Sequence, residues 1–360
     1  MEKIQYYEDK FLDEMRQTMD PVADQVVAQI FKSGQAPALI QLMKALTFNS
    51  QPTPSQLPPE AEAYFQEQSQ LPDWADLTLL QEGSQFFQKH AEQILSMLGF
   101  LSLPYCYAAA DGAQVLYLSQ QIKDNTRRRL LETGTFVVDV MDPQAFQKGG
   151  RGFISILKVR LMHAAVRFHI LHSNKWNAAW GQPINQEDMA GTNGAFSWLS
   201  VRGLRKMGVF VSPSGIKAYY HLWNVIGFLM GVRPELLPDN SKEAYALDRK
   251  IAQRHFRTSE AGVKLTQSLL RLFRQEAGQP LPKGFPEAYM RFLLGDKVAD
   301  ILQVPPPNWT QNLVQSLRYF NNYRSAGLFP EVAPNQGSLQ DQIKSEIDQN
   351  EVSFLMPLSL

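Results

Sequence analysis

The chain has 360 residues, of which 44% are hydrophobic and 19% are charged, with 35 Lys and Arg against 35 Asp and Glu. This composition provides ample apolar material for a core and excludes a globally disordered chain. A net charge of zero argues against a nucleic-acid-binding protein, which normally carries a basic surplus. The single cysteine, Cys106, excludes an intrachain disulfide framework and a multi-cysteine zinc or iron–sulfur site.

The predicted regular elements are helices. Apolar residues recur at helical spacing over 21–46, and a further helical segment covers 72–97. Asn125 or Thr126 is the predicted cap of the next helix, which ends near Asp142-Pro143. Later predicted helices cover 153–172, 186–207, 213–232, 241–261, 261–275 and 289–302. Sustained alternation with a period of two residues is scarce, so the pattern predicts a mainly α-helical fold.

We expect one large domain over residues 1–330, followed by a polar tail over 331–360. The Pro-rich segment 51–59 cannot continue a helix and is predicted to be an extended loop. The N-terminus lacks the apolar core of a signal peptide. The longest uncharged stretch, 93–110, contains Pro104 and indicates buried core rather than a membrane span of about 20 apolar residues. These features predict no transmembrane segment and a cytoplasmic location.

His163 lies in a run of apolar residues, 161–166, which indicates a buried helix. Arg160 precedes it by three residues and Arg167 follows it by four, so both are its neighbours along one helix face. Two nearby cations lower the pKa of a histidine and keep it neutral, which is the form that binds a metal. The arginines also suit an anionic group, such as the carboxylates of a haem. The alternative is a core histidine whose neighbouring arginines pair with acidic residues elsewhere.

A second constellation lies on the helix predicted to begin at Asn125 or Thr126. Arg129 and Thr133 share a face at four-residue spacing, and Glu132 lies beside them. An ordinary role for Glu132 is a salt bridge with Arg128 or Arg129. The alternative is an Arg129–Thr133 pair that lines a pocket. Dinucleotide, phosphate-loop, serine-elbow and HExxH motifs are absent from the sequence.

The two constellations, in this order, resemble the family that contains bacterial latex clearing protein, a rubber oxygenase, and the mpaB-type oxygenases. The Arg-x-x-x-Thr spacing at 129–133 and the segment 159–167 carry the resemblance, and 186–192 and 220–231 support it. It covers about residues 95–240. The resemblance implies a globin-like, all-α domain that encloses one haem b, with His163 as the proximal iron ligand. The family reaction is the cleavage of an isoprenoid carbon–carbon double bond by dioxygen, which gives an aldehyde and a ketone.

The resemblance also implies a role for each remaining candidate residue. Arg129 and Thr133 would stand at the other face or the edge of the haem, and Arg160 and Arg167 would supply cations for its propionates. Latex clearing protein has a lysine that caps the iron where this chain has Glu132. This replacement leaves three outcomes: an open or water-bound iron, ligation of the iron by Glu132, or a salt bridge that turns Glu132 away from the iron.

The acidic base of the family has no counterpart near Ala113 and Gln114, where Asp111 is a candidate. The leading hypothesis is therefore a haem-b oxygenase that uses dioxygen on an apolar small molecule such as an isoprenoid, with Arg129, Glu132 and Thr133 in the catalytic site. A haem-binding sensor, store or peroxidase-like protein is the second hypothesis. A haem-free helical scaffold, in which segment 51–59 and the tail dock partners, is the third.

Overall fold

Helices account for all regular elements that the computed structural model describes, which are those within residues 3–51, 59–119, 126–276 and 284–306. The all-α prediction is confirmed. Sixteen α-helices lie in these ranges: α1 Asp9–Gln17, α2 Pro21–Lys32, α3 Ala36–Ala45, α4 Pro59–Gln68, α5 Leu77–Met97, α6 Leu103–Tyr107, α7 Ala113–Leu118, α8 Thr126–Met141, α9 Gly152–His172, α10 Gln186–Phe196, α11 Trp198–Lys206, α12 Pro213–Leu229, α13 Ser241–His255, α14 Glu260–Glu276, α15 Phe285–Leu294 and α16 Asp296–Ile301.

Local signals set most helix ends. The side chain of Asp76 accepts hydrogen bonds from the amides of Thr78 and Leu79 at the start of α5, and Asn240 caps α13 in the same way. The predicted helix over 21–46 is divided, because the chain turns through Gly34 at φ 74° between α2 and α3. The predicted helix over 186–207 is divided at Ser197, where ψ is −74°.

The long uncharged stretch 93–110 is buried, as predicted. It contains the end of α5, the π-helical segment Leu98–Ser102 and α6, and most of its side chains belong to the main core. Within the described ranges, no helix is both long enough and apolar enough to cross a bilayer. The predicted tail over 331–360 and most of the Pro-rich segment lie outside the described residues.

Helix α9 is buried between two hydrophobic cores. On one side, Ile156 and Val159 join the main core, which is centred on α5 and α12. On another side, Leu157 and Leu161 pack in a second core formed with α2, α3 and α4. Because both cores pack against it, α9 has no fully solvated face, and any polar group that it carries needs a specific partner.

Lys158 on α9 is one such polar group. Its ammonium donates to the carbonyl oxygen of Leu46, and burial lowers its pKa to about 8 from an ordinary value of 10.5. Above about pH 8 the unfolded chain therefore holds a proton that the folded chain has released, so the free energy of unfolding rises with pH.

We expect this rise to be about 2 kcal/mol between about pH 8 and about pH 9.5 and to be absent from Lys158→Met. Urea unfolding of both proteins at the two pH values measures the difference, since other titrating groups are common to both. Equal pH dependence in the two proteins would contradict a proton-linked role for Lys158.

Candidate active site

A cavity of about 310 Å³ lies among α6, α7, α8, α9, α10, α11, α12 and α13. This volume holds on the order of 20 water molecules, which is the size of a site for a cofactor or a small organic ligand. Its wall is largely apolar: Leu103, Val115, Leu116, Phe136, Val159, Met162, Val166, Met189, Phe196, Trp223, Ile226, Leu247, Ile251 and Phe256. Four of the candidate site residues predicted from the sequence line the cavity: Arg129, Glu132 and Thr133 from α8, and His163 from α9.

His163 meets the cavity from α9. Its Nδ1 atom is buried and has no hydrogen-bond partner among the described residues. Burial, followed by the positive charges of Arg167 and Arg129, lowers the pKa of the imidazole from 6.5 to about 3. The ring is therefore neutral at physiological pH and keeps a lone pair for a ligand or a metal.

Arg160 and Arg167 hold α9 against α2. The Arg160 guanidinium donates to both carboxylate oxygens of Asp20, at 2.6 and 2.8 Å, and also to the carbonyl oxygen of Leu229 at 3.2 Å. Arg167 donates to Asp24 at 2.6 Å. Neither arginine lies on the cavity wall. The acidic partners that the core-histidine alternative requires are therefore present: Asp20 caps α2, and Asp24 lies in its first turn.

Arg129 and Thr133 lie one helical turn apart on α8, and both line the cavity. The hydroxyl of Thr133 donates to the carbonyl oxygen of Arg129 at 2.8 Å, so the oxygen of Thr133 can still accept a hydrogen bond. The positive charge of Arg129 lowers the pKa of His163 and opposes the rise in the pKa of Tyr107 that burial causes. The structure therefore brings a cation, a hydroxyl and a neutral imidazole to one region of an apolar cavity.

The sequence profile of the family described as "ER-bound oxygenase mpaB/B'/Rubber oxygenase, catalytic domain" matches residues 90–323, more than half of the chain. The chain belongs to this family. A similar protein is the "Rubber oxygenase" of Streptomyces sp. (strain K30), which is 28% identical over 287 residues, 79% of this chain and 70% of that protein. The solved structure of latex clearing protein in the closed state has a TM-score of 0.73 and 25% identity, and the match covers 92% of this chain and 90% of that chain. The chain is therefore an oxygenase.

In this oxygenase, Glu132 forms a salt bridge with Arg128. Its Oε1 atom accepts a hydrogen bond from Nε of Arg128 at 3.0 Å, one turn earlier on α8. Burial raises the pKa of Glu132, and the charge of Arg129 and the hydrogen bond from Arg128 oppose that rise. Of the three outcomes that the sequence left open for this residue, the geometry favours the salt bridge.

The candidate base Asp111 does not face the cavity. It pairs with Arg257 and lies 3.8 Å from Arg16, and it is not among the residues that line the cavity. Ala113, by contrast, does line the cavity. A different carboxylate, that of Asp188, lies against Gly112 at this part of the wall.

Sequence reasoning missed two carboxylates of the wall, Asp188 on α10 and Asp248 on α13. Asp188 falls within the segment 186–192 that supports the family resemblance, so a signal for it was present. No motif points to Asp248. Cys106 also lines the cavity, and burial raises the pKa of its thiol to about 12, so it is protonated at neutral pH.

Proposed function

We propose that this oxygenase binds one haem b through His163 and uses dioxygen to cleave a carbon–carbon double bond in an apolar, isoprenoid-type small molecule. The observation that carries the proposal is the neutral imidazole of His163 on the wall of a largely apolar cavity, with Nδ1 unpartnered and Arg129 and Thr133 on the same wall. The similarity of the chain to a rubber oxygenase supports the substrate chemistry.

The donor set fits haem. In the described ranges, no group of three His, Cys, Asp or Glu side chains is arranged to hold a metal ion. A protein-only catalytic site needs about three such ligands, whereas a haem iron needs only one proximal histidine from the chain. Arg129 supplies a cation on the cavity wall for a propionate. Arg160 and Arg167, already paired with carboxylates, would serve the haem by fixing the position of α9, and the charge of Arg167 would help to keep His163 neutral.

When bound, haem b supplies an iron that activates dioxygen. The residues of this chain provide the environment: the apolar wall excludes water and orients the alkene, and the guanidinium of Arg129 donates hydrogen bonds to negative charge that develops in the cavity. The hydroxyl oxygen of Thr133, one turn from Arg129, can accept a hydrogen bond from a donor group of a molecule bound in the cavity. Both oxygen atoms of O₂ end in the two carbonyl groups, so the reaction needs no external reductant.

Cleavage of an isoprenoid alkene in the presence of ¹⁸O₂ tests the proposal. We expect the haem-loaded protein to consume O₂ only when alkene is present and to place one ¹⁸O atom in each carbonyl product. Haem binding without alkene-dependent O₂ uptake would refute the oxygenase chemistry proposed here. Failure of the purified chain to bind added haem would refute the cofactor.

The salt bridge of Glu132 predicts a small spectral effect for Glu132→Gln. The carboxylate of Glu132 already accepts a hydrogen bond from Nε of Arg128 at 3.0 Å, so we expect it not to reach the iron. The Soret band of haem-loaded Glu132→Gln should therefore coincide with that of the unmodified protein. The free energy of unfolding should fall by about 1 kcal/mol, the value of one hydrogen bond to a charged group at a partly solvated pair. Absorption spectra and urea unfolding measure the two effects. A displaced Soret band would show that Glu132 reaches the iron.

A further inference from the structure

Asp248 differs from the other carboxylates on the cavity wall. Glu132 pairs with Arg128 at 3.0 Å, and Asp188 pairs with Arg16 at 3.0 Å. Asp248 forms no salt bridge with any residue that the structure describes, and both of its hydrogen-bond donors, Tyr105 and Trp198, are neutral. The described part of the wall therefore has one carboxylate whose charge is not matched by a bonded cation.

The two hydrogen bonds to Asp248 leave acceptor capacity. The hydroxyl of Tyr105 donates to Oδ1 at 2.8 Å, and the indole of Trp198 donates to Oδ2 at 3.2 Å. Each carboxylate oxygen can accept two hydrogen bonds, so each retains a free position. Asp248, Tyr105 and Trp198 all line the cavity, so a ligand there can reach these positions. In an apolar enclosure, an unused acceptor position favours a ligand that brings a donor.

The surroundings of Asp248 select a neutral donor. Arg202 lies with its guanidinium carbon 5.2 Å from the centre of the Tyr105 ring, and its positive charge opposes the rise in the pKa of Asp248 that burial causes. A ligand ammonium would gain less, because the charge of Arg202 partly offsets that of Asp248 and the apolar wall desolvates the cation, and a ligand carboxylate would be repelled by Asp248 itself. A hydroxyl group avoids both penalties and still donates one hydrogen bond.

Asp248 also lies on a different part of the wall from His163. His163 projects from α9 and Asp248 from α13. A long apolar ligand can therefore present one portion to the region of His163 while its end meets Asp248.

We infer that Asp248, held by Tyr105 and Trp198, binds a terminal hydroxyl group of the substrate, so that the substrate class is an isoprenoid-type alcohol rather than a pure hydrocarbon. This inference rests on the proposed function for the alkene portion of the substrate. The hydroxyl contact itself is a binding interaction and is measured separately from cleavage. Asp248 is a specificity-determining residue in this arrangement, and the region of His163 is where the double bond would react.

Titration calorimetry with a matched pair of ligands tests the inference. Farnesol and farnesyl methyl ether share the apolar chain, but only farnesol has a hydroxyl donor. We expect the haem-loaded protein to bind farnesol at least about tenfold more tightly than the ether, as a charge-assisted hydrogen bond provides. In Asp248→Asn the preference should fall below about threefold, while affinity for the ether is unchanged. In Asp188→Asn the full preference should remain, because Arg16 and Asn185 already occupy that carboxylate.

Tyr105→Phe provides a second test that does not depend on the folding of Asp248→Asn. It removes a competing donor from Oδ1, so the preference for farnesol should be retained or increased; a loss would assign the contact to the Tyr105 hydroxyl and overturn the inference. Equal binding of the two ligands by the unmodified protein, or binding of neither, would also overturn it. Alcohol preference without cleavage products would refute the proposed function and leave the Asp248 contact standing.

Discussion

His163→Ala should lose the Soret band that the unmodified protein shows after loading with haem, and alkene cleavage should be lost with it. The described cavity wall contains no second histidine, so the variant has no replacement imidazole for the iron. Partners that merely orient a metal ligand are worth 10–100-fold in affinity, so we expect loss of the ligand itself to weaken haem binding by at least about 100-fold. Haem titration followed by absorption, in the oxidised and the dithionite-reduced states, measures the change.

His169→Ala is the matched control for this experiment. His169 lies on the same helix, but its ring stands 5.1 Å from that of Phe31, and it does not line the cavity. This variant should bind haem as the unmodified protein does. Added imidazole should restore a Soret band to His163→Ala, since the truncated side chain leaves room beside an existing cavity. An unchanged haem affinity in His163→Ala would contradict the assignment of the ligand.

Arg160→Met should lower the free energy of unfolding by about 3–5 kcal/mol, the usual cost of leaving a buried charge without its partner. Arg160 is 6% exposed and Asp20 is 2% exposed, so water cannot replace the lost guanidinium. Asp20 also accepts a long hydrogen bond, 3.5 Å, from the amide of Ala23 at the start of α2, so its carboxylate cannot turn outward without loosening that helix end. Urea unfolding of the haem-free protein measures the loss.

A double-mutant cycle separates the ion pair from simple loss of packing. Asp20→Asn keeps the helix cap and removes the charge, so Arg160→Met combined with Asp20→Asn should be more stable than Arg160→Met alone. Lys242→Met, at an exposed position of α13, serves as a surface control that should change stability by less than about 0.5 kcal/mol. Additive effects of the two substitutions in the cycle would contradict a coupled buried pair.

Much of the fold could be predicted from local sequence. The helix containing His163 was predicted over 153–172 and is Gly152–His172, because an apolar run and a glycine turn define it without help from distant residues. Helix Thr126–Met141 followed from a cap and a proline in the same way. The divided helices were missed because one break depends on a left-handed glycine and the other on the backbone angles of Ser197, which periodicity does not encode.

The residues of the candidate site fall into the same two groups: those that local helical spacing predicts and those that only the folded chain brings together. Arg129, Glu132 and Thr133 share one turn of α8, so their joint appearance on the cavity wall is a consequence of helical spacing. The Arg128–Glu132 salt bridge was among the predicted alternatives for the same reason. Asp248 could not be predicted: it lies 143 residues from Tyr105 and 50 from Trp198, and only the folded chain brings the three together.

The ion pairs of α9 show that the family profile begins later in the chain than the residues on which α9 depends. The segment that matches the family profile begins at residue 90 and contains the whole described cavity wall, yet the carboxylates that neutralise Arg160 and Arg167 belong to Asp20 and Asp24. A protein trimmed to the profile would keep each wall residue but lose α2, and with it both carboxylates and part of the apolar core that covers α9. Transplanting the site into another scaffold therefore requires α2 as well as the residues of the wall.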